Sequence, residues 1–214
     1  EIERGLVGSE MCIRDRGNTI YNERFDEQDT KKRKFLLLGL GLSYRNQGLE
    51  IYTNFSQNFR SVTFADISII NPSYAINPGI DDEKGFTFDL GLRGNYKKIV
   101  SFDSSIFALI YRDRIGFIQK VFRDGNVKSE RGNVGNAQIT GIESLFDFDV
   151  NEILFKNAYM DFNIFFNYSY IESKYLKSNE VGITGKEVEF VPKNNFKTGL
   201  KFGYKDFAIN FQYS

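Results

Sequence analysis

The chain has no histidine, no tryptophan, one cysteine and three prolines in 214 residues. Without histidine it can build neither a His-ligated metal centre nor a Ser-His-Asp triad, and one cysteine cannot close an internal disulfide. Charge of one sign is missing as well, since 28 basic and 28 acidic residues cancel. No whole-chain field therefore attracts nucleic acid or an acidic membrane surface. No stretch approaches the roughly 18 consecutive apolar residues of a spanning helix. If the chain crosses a membrane, it does so with strands. What it has in quantity is aromatic: 22 Phe and 12 Tyr, residue types suited to pleated surfaces and to membrane-interface belts.

Those aromatics fall in alternation. Across 160–170, Met160, Phe162, Ile164, Phe166, Tyr168 and Tyr170 take one parity, and Asp161, Asn163, Asn167 and Ser169 take the other. Successive side chains of a strand point to opposite faces, whereas an amphipathic helix would repeat its apolar positions every three or four residues. Leu36, Leu38, Leu40, Leu42 and Tyr44 alternate with Gly39, Gly41 and Ser43. A turn at Gln47 and Gly48 returns the chain through Leu49, Ile51, Phe55 and Phe59, which oppose Glu50, Tyr52, Asn54 and Arg60. The pattern recurs with Phe86, Phe88, Leu90 and Leu92, with Ile142, Phe146 and Phe148, and in a last hairpin over 196–214. Alternation weakens over 100–111, where Phe107, Leu109 and Tyr111 share the polar parity with Asp103 and Ser105.

The connections alternate too. Short turns follow residues 46, 94 and 150 and fall near 205. Long polar segments cover 61–85, 112–136 and 172–195, and all three prolines (Pro72, Pro78, Pro192) lie in them. Strands of about 10 residues, with short turns at one end and long loops at the other, predict an all-β fold. Its architecture is an antiparallel up-and-down transmembrane β-barrel fragment of about eight strands, with lipid outside and a polar lumen inside. The competing expectation is a soluble β-sheet binding or adhesion module, a sandwich or lipocalin-like barrel, whose strands also alternate. The chain starts at Glu1 without a basic-then-apolar leader, and a fragment is expected. Residues 1–34 are set apart as an atypical N-terminal segment and partial loop, with 1–16 and Cys12 left out of the fold, and 35–214 form the partial barrel.

Two stretches carry a family likeness. YTNFSQNFRSVTFADI from Tyr52, followed by NPGIDDEKGFTFDLGLRG from Asn77, resembles the strand, long loop and returning strand of TonB-dependent outer-membrane receptors. GNVGNAQITGIES from Gly132 is similar to the family's return into the barrel, and GKEVEFVPKNNFKTGL from Gly185 to its approach to the next inward strand. In that last segment Phe190 precedes Val191 and Pro192, so the family's earlier proline is absent. The arrangement looks most like the ferric citrate (FecA-type) branch. The resemblance implies a receptor of the bacterial outer membrane that imports a ferric chelate and is not an enzyme. In such proteins a barrel of about 22 strands is filled by an N-terminal plug. The implied partners are the chelate, the TonB energising complex acting through a plug, and outer-membrane lipid; no cofactor and no nucleic acid are implied.

Arg60 and Lys197 are the candidate ligand-binding residues. Both take the polar parity where a strand meets a long loop, and Arg could grip an anionic chelate's carboxylate with two hydrogen bonds. The competing reading pairs them with carboxylates of the wall or a plug. Arg112, Arg114, Arg123 and Arg131 lie in a mixed-charge loop, expected to be solvated. Asp81, Asp82 and Glu83 read as a solvated acidic turn rather than a metal site, because adjacent side chains diverge. Gly91, Gly94, Gly132, Gly135 and Gly141 lack the strand-to-helix setting of a phosphate loop and read as turn geometry and room in the wall. Asp89, Arg93, Glu143, Asp147, Asp161 and Lys201 are lumen charges by parity.

Overall fold

The computed structural model describes residues 35–63, 66, 71, 73–123, 125–156 and 159–214, together with the backbone of four short strands before residue 34. Most of 1–16 and Pro72 lie outside the described residues. The strands are β1 (Leu6–Val7), β2 (Cys12–Ile13), β3 (Arg16–Asn22), β4 (Glu27–Arg33), β5 (Leu36–Leu37), β6 (Gly39–Asn46) and β7 (Leu49–Arg60). They continue as β8 (Tyr74–Ile76), β9 (Glu83–Tyr96), β10 (Val100–Val121), β11 (Val127–Asp149), β12 (Met160–Lys177), β13 (Asn194–Tyr204) and β14 (Phe207–Tyr213). One sheet runs β1-β6-β7-β9-β10-β11-β12-β13-β14, so the eight strands from β6 onward, leaving out the short β8, form an antiparallel up-and-down meander. Between β11 and β12 the chain makes one wide helical turn, Asn151–Phe155.

Register makes the alternation continuous across the sheet. One row links Leu42, Thr53, Leu90, Ile106, Ile142 and Tyr170; the next links Glu50, Arg93, Asp103, Leu145, Asn167 and Lys197. A one-residue slip at any strand would send its charges to the apolar face, so the alternation itself pins the register. On the apolar face Leu38 is 50%, Ile106 49% and Ile142 52% exposed, and the same face carries exposed Phe202 and Phe211 at the far edge of the sheet. Soluble monomers rarely expose a contiguous apolar surface running across a whole sheet, and such surfaces mark contact with a membrane or a partner. Lipid is the solvent that fits it, and the soluble module does not account for it.

The compact core is small and lies away from the alternating wall. Val134, Ala137, Ile139, Tyr175 and Val188 form one buried cluster, against which Phe107, Leu109 and Tyr111 pack. This resolves the weak alternation over 100–111. Those three residues keep the inward parity but are covered by the loop 178–193, which brings Val188 and Val191 over them.

The largest difference from expectation concerns 112–136, which is not a loop. β10 and β11 run on as one hairpin of 22 and 23 residues, paired through Val121↔Val127. Gly/Asn content concealed strands whose register shifts at Arg114, after Asp113 takes a positive φ of 54°. The turn closes between Phe122 and Asn126, where the Phe122 N–H donates to the Asn126 carbonyl and Gly125 takes a φ of 79°. The other two long segments are shorter than expected, 61–82 and 178–193, because β9 begins at Glu83 and β12 runs to Lys177. The segment 61–82 reaches across to β11, where β8 pairs parallel with Ser129, Glu130 and Arg131.

Candidate functional site on the polar face

Three groups of charges stand on the polar face. The first lies by the short turns. Glu50 is buried between Arg45 Nη2 at 2.6 Å and Arg93 Nη2 at 2.9 Å. Arg93 also lies over the Tyr52 ring, 5.1 Å from its centroid, and the Tyr52 hydroxyl donates to Asp103 at 2.8 Å. The ring needs room: a Cβ at Gly91 would sit 2.2 Å from Tyr52 Cζ, so glycine there is a packing requirement. Arg45, Glu50, Arg93 and Asp103, with Ser101 and Asp147, line a concave site of about 410 Å³.

The second group ties the loop 61–82 to the wall. Asp66, 1% exposed, accepts from Arg60 Nη2 at 2.8 Å, Arg131 Nε at 2.9 Å, and the Thr63 N–H and hydroxyl at 2.9 and 2.8 Å. Burial opposes its charged form, but the Thr63 and arginine hydrogen bonds outweigh it and hold the carboxyl below the usual range. Arg131 stacks over Phe117, 4.6 Å from the centroid. The third group ties the loop 178–193 to the hairpin. Arg114 Nη1 donates to Glu189 at 3.0 Å and to the Tyr175 hydroxyl at 2.9 Å, and that hydroxyl donates to Glu189 at 2.7 Å. Burial again works against the Glu189 carboxylate, and these partners still keep it below its ordinary range. Lys120 bridges Glu130 and Glu180.

The two candidate cations are not brought together: Arg60 ends β7 and Lys197 lies near the start of β13, with four strands of the sheet between them. Arg60 holds Asp66 and lies 3.8 Å from Glu83, which is the pairing that the competing reading describes. Lys197 is exposed and forms no ion pair among the described residues. The acidic turn is built into the wall through Glu83 and Asp82, while Asp81 stays exposed as expected. Glu83 accepts the Ile115 N–H at 2.8 Å, Asp82 accepts the Val62 N–H at 2.9 Å, and the Asp81 N–H donates to Asn133. Arg114 and Arg131 are likewise structural partners, not solvated loop charges. Asp66 was missed because its role depends on a residue 65 positions away, a separation that periodicity does not register. Of the parity-assigned lumen charges, Asp89 accepts from Asn54 at 2.9 Å and Lys201 pairs with Asp161.

Comparison with known proteins agrees with this architecture. A structure titled copper transporter OprC matches over 91% of this chain at 15% identity with a TM-score of 0.64. The ferric citrate transporter FecA in its unliganded form matches over 89% at 18% identity and 0.62, and the ferric yersiniabactin uptake receptor FyuA from Yersinia pestis over 87% at 21% and 0.57. At these identities the likeness is one of fold. The chain spans 29%, 27% and 27% of the respective neighbours. No curated protein sequence matches it. The model of the TonB dependent receptor-like β-barrel family matches residues 14–214. With that match, the exposed apolar face and the eight-strand meander, the chain belongs to the TonB-dependent receptor β-barrel family.

Proposed function

We propose that this chain is part of the wall of an outer-membrane receptor that imports a ferric chelate by TonB-dependent transport, with ferric citrate as the first cargo to test. The family lies in the bacterial outer membrane. The observation that carries the reading is the two-sidedness of the sheet: an apolar face suited to lipid backs onto a face of ordered charges over which two loops fold. Such a wall separates bilayer from an aqueous path and offers cations to an anionic cargo. Neighbours whose titles name ferric citrate, ferric yersiniabactin and copper favour a metal cargo as a class and leave the chelator to experiment.

Within this reading residues 35–214 are the barrel portion, and the plug and the TonB contact belong to the whole receptor. Lys197 is the more available of the two candidate ligand cations. Arg60 must first leave Asp66. The test is growth and radiolabelled iron uptake by cells that depend on the full-length receptor under iron limitation, supplied with ferric citrate, a catecholate chelate or a hydroxamate chelate. Uptake of ferric citrate alone supports the finer proposal. Uptake of another chelate moves the cargo, and uptake of none overturns iron import.

A further inference from the structure

The short-turn end carries cations that the uptake reading does not use. Seven described residues other than glycine have a positive φ, and four of them are lysines: Lys97 at 49°, Lys98 at 58°, Lys156 at 50° and Lys205 at 51°. Side chains with a Cβ resist this backbone, and Gly, Asn or Asp are its usual occupants in tight turns. All four lysines lie in short connections at the same end, between β9 and β10, β11 and β12, and β13 and β14. In each connection a lysine follows an exposed aromatic residue, Tyr96, Phe155 or Tyr204. Lys97 Nζ is 5.2 Å from the Tyr96 ring centroid, and Lys205 Nζ is 5.6 Å from that of Tyr204.

Tyr96 and Tyr204 have the apolar parity, so their rings stand at the rim of the lipid-facing belt, where a tyrosine's apolar body and polar tip suit the interface. The adjoining ammonium groups then reach the headgroup layer. None of the four lysines forms an ion pair among the described residues. Glu152 and Asp206 share connections with Lys156 and Lys205, whereas the turn holding Lys97 and Lys98 contains no acid. Asp147, Asp149 and Asp161 lie near this end with the polar parity; Asp161 is held by Lys201, and Asp147 and Asp149 line one hollow with Lys98, which leaves Lys97, stacked on Tyr96, the freer to reach outward.

We propose that this rim binds the phosphate groups of anionic glycerophospholipids in the leaflet that the short turns meet. Lys97 makes the main contact, Lys98, Lys156 and Lys205 the flanking ones, and the neighbouring aromatics fix the depth. The proposal rests on the membrane reading above and adds a lipid preference to it. Full-length receptor is reconstituted in nanodiscs containing a minority of phosphatidylglycerol in phosphatidylcholine, and the lipid retained on extraction is measured by native mass spectrometry. Replacing Lys97→Gln together with Lys98→Gln is expected to lower the retained phosphatidylglycerol-to-phosphatidylcholine ratio about fivefold or more, and Lys→Arg at both positions to restore it. Inorganic phosphate at matched ionic strength should leave the ratio of the parent unchanged; displacement of the lipid by it would reveal a free-anion site and overturn the proposal. An unchanged ratio in a Gln variant that keeps its heat-modifiable migration would overturn it too. The parent's own heat-modifiable migration separates the two readings: its absence would remove the membrane reading and the proposal together, whereas its presence, with an unchanged ratio in the Gln variant, would remove lipid binding alone.

Discussion

Lys197 and Arg60 share a parity but not a situation. Arg60 is committed to Asp66 and Glu83, so its charge is largely spent within the wall. Lys197 stands exposed in the row that also contains Glu50 and Arg93. In the full-length receptor Lys197→Gln should weaken binding of an anionic ferric chelate, with surface expression unchanged. A lost charge-assisted hydrogen bond is worth about 1.5 to 3 kcal/mol, so roughly a tenfold rise in Kd by isothermal titration is the expected scale, reduced by salt in an open mouth. Unchanged binding would assign the lysine to the wall. Arg60→Gln should instead act mainly on the order of the loop 61–82. At this scale the sequence revealed orientation but not partnership: parity places Arg93, Asp103 and Lys201 on the polar face, yet cannot say that Glu50 sits between two arginines.

Strands were legible wherever alternation met a short turn, as at Gln47-Gly48, where Gly48 takes a φ of 85°. The extended β10–β11 hairpin was not, because Gly116, Gly132 and Gly135 serve close contacts within its strands instead of turns: a Cβ at Gly135 would lie 2.2 Å from the Lys177 carbonyl oxygen. Beyond the apolar belt a strand needs no lipid-facing apolar row, so the period-two signal fades while the hydrogen-bonded ladder continues. The loop 61–82 is held against this hairpin by Asp66. Asp66→Asn removes a buried carboxylate from two arginines and should cost the docked loop about 3 kcal/mol. A spin label at Ser73, immobilised in the parent, should become mobile in that variant. The pH dependence follows from the lowered carboxyl: the stabilisation is fully present above the ordinary carboxylate value of about 3.9 and is lost as pH falls through the lower folded value. The parent's label should therefore remain immobilised at pH ~5 and loosen only below about 4. Loosening nearer neutrality would mean that a different group holds the loop.

Across the whole molecule, the sheet places its apolar side outward and keeps its small buried core beneath the loops, the reverse of a soluble domain. Ile164→Arg would put a cation against lipid at a cost of about 2 to 4 kcal/mol near the midplane, whereas Asn163→Arg stays in the polar lumen. The first should impair heat-modifiable folding in outer-membrane preparations far more than the second. Equal folding would mean that the faces are misassigned. The central claim, that one parity of this wall meets lipid, is tested most directly by an electron paramagnetic resonance scan. Single spin labels are placed at each position from Met160 to Tyr170 of the full-length receptor in bilayers, and collisions with oxygen and with a water-soluble nickel chelate are measured. Oxygen accessibility should peak at every even position and fall at every odd one. A profile without that two-residue period, or with its peaks at Asp161, Asn163 and Asn167, would contradict the account.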